Sequence, residues 1–237
     1  GWEIGPGIGA MTILLLEEKV RLTAFEIDYG FVRVLKGLFS EYENFCIVKG
    51  DVLKTLCSQK NLPARIFGNL PYNSAFAIIS DILEMEILPQ HMVFTLQKEA
   101  AHRMVAGPGT KDYSSLSVLC TSVCDVRILF DIGSSAFWPR PRVTSSAVQL
   151  IPKKKSMSAL ERKDFSDFVR AAFSSRRKTL RNTLRFWIKQ RSPFLDEAKI
   201  DTQLQGILEE LGIESSIRAE ALAPDELFAI YRQLQSI

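Results

Sequence analysis

Four short stretches hold residue types that could do chemistry together. The first is Glu3-Ile4-Gly5-Pro6-Gly7-Ile8-Gly9-Ala10, an acid ahead of a glycine loop that runs into a helical pattern. Glycines there let the backbone turn tightly and approach a ligand, with a helix N-terminus facing it. Gly5, Gly7 and Ala10 also satisfy the dinucleotide pattern G-x-G-x-x-G/A, so the loop alone does not name its ligand. The second is Glu26, 21 residues after Gly5, where an acid can grip two ribose hydroxyls. Nicotinamide dinucleotides and S-adenosylmethionine (SAM) both carry such a ribose. Glu3 ahead of the loop, and Gly50-Asp51-Val52 after a third apolar run, favour SAM, because Asp51 can accept a hydrogen bond from an adenine amino group. A helix N-cap is the other role open to Asp51.

The third stretch, Asn69-Leu70-Pro71-Tyr72, follows a strand-like run at 65–68. A planar amine such as adenine N6 is a poor nucleophile, because its lone pair is delocalised into the ring. An amide oxygen and a backbone carbonyl accepting its two N–H bonds would localise that pair. Pro71 would stiffen the turn, and the Tyr72 ring offers a stacking face. The competing role is an Asn-initiated turn before a helix at 74–84. The fourth stretch is 170–191, where Arg177, Arg181 and Arg185 fall at i, i+4 and i+8, with Leu180, Leu184, Trp187 and Ile188 on the core side. A one-sided basic stripe is what phosphate contacts need.

The elements that must position these residues are legible in the hydrophobic periods. Short β-like runs at 22–27, 45–48, 65–67, 92–96, 126–130 and 147–151 alternate with helical stretches such as 31–39 and 76–83. That alternation predicts an α/β domain, a mainly parallel sheet with helices on both faces. Its ligands would bind at the carboxyl edge, where the first three stretches end. From Ser158 the grammar changes. Ser158 with Glu161 reads as a capping box, and Phe165, Phe168, Val169 and Ala172 follow at helical spacing. The same spacing recurs in Leu204, Ile207, Leu208 and Leu211, and in Leu227, Ile230, Tyr231 and Leu234. These three amphipathic helices predict a small all-helical C-terminal domain. The boundary would fall near Pro152-Lys153-Lys154-Lys155-Ser156, giving domains 1–152 and 153–237.

Composition bounds the rest. With 237 residues and 46% apolar, the chain is neither disordered nor too short for a core. No stretch approaches 18 apolar residues, and Gly1-Trp2-Glu3 does not open a signal peptide. Cys46, Cys57, Cys120 and Cys124 read as free thiols in a reducing cytoplasm. Cys120-x-x-x-Cys124 sits on a predicted helical stretch and His91 and His102 lie far apart, so no metal site is expected. Residues 151–191 carry 13 basic and 3 acidic side chains, whereas 192–237 carry 3 and 9. Such a stretch is either a solvated face or a polyanion-binding surface.

With these residues in view, the sequence resembles the small-subunit ribosomal RNA adenine dimethyltransferase family. The matching stretches are 3–9, Glu26, Asp51, 69–72, 97–103 and 113–118, then 137–145, 176–180 and 218–222. The resemblance implies a Rossmann-like SAM-dependent methyltransferase domain that dimethylates adenine N6 in a ribosomal RNA hairpin, with a helical domain contacting RNA. It places Glu3, Gly5, Gly7, Glu26, Asp51, Val52 and Asn69 around SAM. Leu70, Pro71 and Tyr72 would border the target base, with Phe137 across from Tyr72. Arg140, Arg142, Arg176, Arg177, Lys178, Arg181 and Arg185 would face the RNA. Leu70, rather than Ile, favours small-subunit over large-subunit RNA. It further implies a cytoplasmic protein, monomeric, without membrane or metal, that acts on the small ribosomal subunit. Two other readings are a methylase of large-subunit RNA and a non-catalytic RNA-binding assembly or transcription factor on the same scaffold. Relatives of this kind carry a Gln-Asn-Phe-Leu lid segment ahead of the glycine loop. Here the sequence opens at Gly1, so an N-terminally truncated domain with weak SAM binding and turnover is expected.

Overall fold

The apolar runs become β1 (Trp2–Ile4), β2 (Leu22–Glu26), β3 (Phe45–Lys49), β4 (Arg65–Asn69), β5 (His91–Gln97), β6 (Cys124–Ile132) and β7 (Ser145–Pro152). The computed structural model, which describes residues 1–55, 63–71, 73–137, 140–154 and 157–235, joins them in one sheet ordered β3-β2-β1-β4-β5-β7-β6. β1 to β5 are parallel, and β7 runs antiparallel to β5 and β6. The chain winds outward through β2 and β3, then returns to the other side of β1 with β4. That reversal opens a crevice at the carboxyl ends of β1 and β4, where ligands bind in such sheets. All three residues of β1 are buried, as expected for a central parallel strand covered on both faces.

Helices α1 (Ala10–Glu17), α2 (Tyr29–Leu38), α3 (Val52–Thr55), α4 (Ala75–Leu83) and α5 (Lys98–Val105) connect the strands. α2 starts where Asp28 accepts a hydrogen bond from the Phe31 N–H at 3.0 Å. It buries Leu35 with Leu16, Leu22 and the adjacent Phe39.

The remaining helices are α6 (Ser115–Val123), α7 (Ala159–Ala172), α8 (Leu180–Arg191), α9 (Glu197–Glu210) and α10 (Pro224–Leu234). The chain divides into two compact units, Gly1–Ala101 with Cys124–Ser156, and His102–Val123 with Met157–Ile237. One division falls at 156/157, and the segment 102–123 groups with the helical unit as well. Tyr113 and Val118 are wholly buried in the apolar cluster of the helical unit, with Phe165, Phe168 and Leu227. The Tyr113 hydroxyl donates to the Leu222 carbonyl at 2.9 Å, 109 residues along the chain. One correction concerns the cysteines: Cys120 lies on α6, but Cys124 opens β6, so they do not share a helix.

Within the helical unit, Phe165 meets Phe228 and Tyr231 edge-on at 5.3 Å, and Phe168 meets Trp187 at 5.6 Å. Such edge contacts add about 0.5–1.5 kcal/mol each beyond the area they bury. The Ser158 hydroxyl accepts from the Glu161 N–H at 3.2 Å, so the start of α7 falls where the capping pattern put it. No helix among the described residues is long and apolar enough to cross a membrane.

Candidate active site at the carboxyl edge of the sheet

Between β1 and α1 the backbone takes conformations open mainly to glycine. Gly5 has φ +69°, its N–H donates to the Phe25 carbonyl at 3.0 Å, and a Cβ there would lie 3.2 Å from the Asn69 carbonyl oxygen. Gly9 caps α1 at φ +88°, and a Cβ would come within 2.9 Å of Leu35 and Phe39 side chains. The loop is therefore held against the Asn69 backbone on one side and α2 on the other.

Glu26, at the end of β2, is 6% exposed and fastens the loop from below. Its Oε2 accepts from the Gly7 N–H at 3.2 Å and its Oε1 from the Asp28 N–H at 2.9 Å. A carboxylate offers about four lone-pair positions, so two remain for a pair of ribose hydroxyls. Glu3 is wholly buried in the middle of β1. Its Oε2 accepts from the Thr12 hydroxyl at 2.7 Å, while Oε1 has no hydrogen-bond partner among the described residues. Burial pushes the Glu3 carboxyl up to about 7, the Thr12 hydrogen bond opposes this, and the charge of Glu26 adds to it. Thr12 went unnoticed in the sequence because one threonine among the apolar residues of α1 carries no spacing signal.

Of the two roles open to Asp51, the structure shows the helix cap. Its Oδ1 accepts from the Leu53 N–H at 3.0 Å and starts α3, which leaves Oδ2 for a ligand. Val52 is buried directly after it. Asn69 ends β4 on the exposed side of the edge, and its amide has no partner among the described residues. Leu70 is 1% exposed and donates its N–H to the Thr95 carbonyl at 3.1 Å. The Pro71 carbonyl accepts from Ser74 and Ala75 N–H groups at 3.1 and 2.9 Å, launching α4. The Leu70 carbonyl has no such donor among the described residues and stays available beside the Asn69 amide. Tyr72 lies outside the described residues. Phe137 is half-buried after the short 3-10 turn Ser134–Ala136.

The expected basic stripe dissolves in the structure. Arg177 precedes α8 rather than lying on it. Arg185 grips Asp201 of α9 with both carboxylate oxygens, at 2.9 and 2.6 Å, and Arg181 approaches the same group at 3.3 Å. Arg181 and Arg185 hold the Asp201 carboxyl below its ordinary range. An acid on a different helix could not be paired with them from spacing alone. Arg176 is spent on the Lys111 and Tyr113 carbonyls, at 2.7 and 3.0 Å, and Arg140 donates to the Ser134 hydroxyl at 3.0 Å. Arg142, Arg177 and Lys178 are exposed, and their side chains have no hydrogen-bond or ion-pair partner among the described residues.

The donor set fits a nucleoside cofactor that carries a cation. The crevice offers a close-approach loop, two acids with carboxylate lone pairs left over, and a buried carboxylate oxygen without a donor among the described residues. Among the described residues no group of three or more His, Cys, Asp or Glu could hold a metal ion.

A family model described as ribosomal RNA adenine dimethylase matches residues 2–218. The ribosomal RNA small subunit methyltransferase A of Treponema denticola is 45% identical over 227 residues, spanning 94% of this chain and 75% of that protein. Its namesake from Treponema pallidum is 37% identical over 238 residues, covering 100% of this chain and 81% of the relative. Among solved structures, a dimethyladenosine transferase from Plasmodium falciparum superposes with a TM-score of 0.79 at 24% identity, over 99% of this chain and 89% of that one. The 23S rRNA methyltransferase ErmE gives 0.64 at 20%, over 99% and 90%. These two likenesses are of fold.

Proposed function

The chain belongs to the ribosomal RNA adenine dimethylase family of SAM-dependent methyltransferases, and from that premise we propose that it dimethylates N6 of adenines in a hairpin of small-subunit ribosomal RNA, in the cytoplasm and as a monomer. One juxtaposition supports the assignment of the reacting groups. The unpartnered Asn69 amide and the Leu70 carbonyl stand at the strand edge where the Asn69 backbone touches Gly5 of the cofactor loop.

Glu26, Asp51, the glycine loop and Glu3 hold the cofactor, which when bound supplies an electrophilic methyl group on a sulfonium. In the first transfer Asn69 Oδ1 would accept one N6–H of the target adenine and the Leu70 carbonyl the other; each transfer releases one N6 proton to solvent, so a single N–H remains to be held for the second. Together they localise the nitrogen lone pair and aim it, and positioning of this kind lowers a barrier without covalent help from the protein. The target base leaves its stack at a cost of a few kcal/mol. The rings of Phe137 and Tyr72 offset that cost. Pro71, through the turn its carbonyl organises, keeps the edge from rearranging between the first and second transfer.

The direct test offers labelled SAM with small-subunit particles that lack the modification, and separates the products as mono- and dimethyladenosine. Label in dimethyladenosine of small-subunit RNA is the expected result. Label in large-subunit RNA, or none, would overturn the assignment. The cofactor site has its own check. Glu26→Ala removes charge-assisted hydrogen bonds worth about 1.5–3 kcal/mol, so SAM binding should weaken roughly 10- to 100-fold by titration calorimetry. Tighter binding of NAD than of SAM by the parent chain would contradict the site as drawn.

A further inference from the structure

Helix α8 carries another stripe, one that basic spacing does not mark. Asn182, Phe186 and Gln190 stand at four-residue intervals and are exposed, while Leu184, Trp187 and Ile188 turn inward. With Lys178 just ahead of the helix, these side chains line one side of a groove of about 600 Å3, and Asp167, Arg170 and Ala171 of α7 line the other. The volume is in the range of small-ligand sites, about 300–1,000 Å3.

The groove's charges are not equivalent. Arg170 is paired with Asp167 at 3.3 Å. Arg191 is paired with Asp164 at 3.2 Å, and its guanidinium lies over the Trp187 ring at 4.7 Å from the centroid. The Lys178 side chain is exposed, with no partner among the described residues. The Phe186 ring is 69% exposed, flanked along the helix by two carboxamides. The groove thus presents an aromatic face, two groups that each donate and accept, and one uncommitted ammonium, and the acid that lines it among the described residues, Asp167, is already paired.

We propose that this groove takes an unstacked nucleotide of RNA, with the base on Phe186, its edge read by Asn182 and Gln190, and a neighbouring phosphate on Lys178. Single-stranded RNA is recognised by this combination of aromatic stacking, edge hydrogen bonds and backbone charge. An apolar or acidic peptide would leave the two amides or the ring unmatched. Arg177, exposed beside Lys178, adds a second cation of the sign a polyanion needs. The proposal rests on the RNA-methylating reading above and gives it a second contact, away from the reacting base.

The test uses the full chain and a labelled hairpin of small-subunit ribosomal RNA, with affinity measured by anisotropy across a salt series. Base–aromatic stacking is worth about 1–3 kcal/mol, so Phe186→Ala should weaken binding roughly 5- to 100-fold without changing the salt slope. Phe186→Trp should restore it. Lys178→Ala should instead flatten the log–log salt slope by about 0.7–0.9. Leu160→Ala, a change at an equally exposed apolar residue outside the groove, should bind as the parent does. If the parent binds and methylates the hairpin while Phe186→Ala and Asn182→Ala match it in affinity, the groove is overturned and the methylating function stands. If the parent neither binds nor methylates RNA, both fall together. Phe186-dependent binding of a poly-glutamate peptide, with RNA binding indifferent to Phe186, would assign the groove to a protein partner and overturn the proposal.

Discussion

Asn69→Ala abolishes most of the methyl transfer while leaving most of the SAM affinity: a fall of about 100- to 1,000-fold in the single-turnover rate is expected, by analogy with the loss of one preorganised amide at a reacting centre. The asymmetry follows from where the amide acts. Its oxygen meets N6–H as positive charge develops on the nitrogen, so the bond strengthens between ground state and transition state, and only such bonds change the rate. The amide has no partner among the described residues to be left stranded, so the variant should melt close to the parent. Single-turnover methylation beside SAM calorimetry makes the comparison. Equal losses of rate and affinity would mark Asn69 as a residue that only holds the cofactor.

Glu3→Gln changes how the cofactor-free chain responds to pH. The folded Glu3 carboxyl titrates near 7, against an ordinary 4.5. Between those values the folded state binds more protons than the unfolded one, so stability falls as pH rises through that window. At about 1.36 kcal/mol per pH unit the loss approaches about 3 kcal/mol by pH 7, a large part of a domain's stability. Glutamine keeps the shape and cannot ionise. Urea melts of both proteins from pH 4.5 to 8 should show the difference in stability moving towards the variant by about that amount. Parallel curves would mean that Glu3 ionises in the folded chain as it does in water. Thr12 is the reason the shift is not larger, since its hydroxyl donates to the ionised form at 2.7 Å.

Several features were legible because they are local. A glycine loop, an acid ending the next strand, and Asn69-Leu70-Pro71-Tyr72 after the fourth strand each report backbone geometry within a few residues. The sheet's carboxyl edge then gathers Glu26 and Asn69 at the ends of β2 and β4, with Glu3 inside β1 just ahead of the loop, as the alternation of periods predicts. The Asp51 cap is equally local, since its Oδ1 reaches an N–H only two residues on and leaves Oδ2 uncommitted to the helix. What failed were inferences about which faces meet. Arg181 and Arg185 have stripe spacing, yet Asp201 on α9 takes both guanidiniums. Residues 102–123 read as part of the sheet domain, yet Tyr113 and Val118 fill the helical core.

The amino-acid sequence by itself determined the order of strands and helices, the positive-φ glycines of the loop, and the identities of the acids and the amide at the strand ends. These follow from hydrophobic period and from what individual residues permit the backbone to do. Only the tertiary structure decided which charges are free. A cation's availability depends on what lies across from it, and the side chain that neutralises Arg185 arrives 16 residues later on another helix. It also decided that Glu3 is buried with one oxygen unsatisfied, since a lone acid in a strand says nothing of the dielectric around it. The exposed face of α8, with Asn182, Phe186 and Gln190, became visible for the same reason: once Leu184, Trp187 and Ile188 are seated in the core, the helix has no other side left to show.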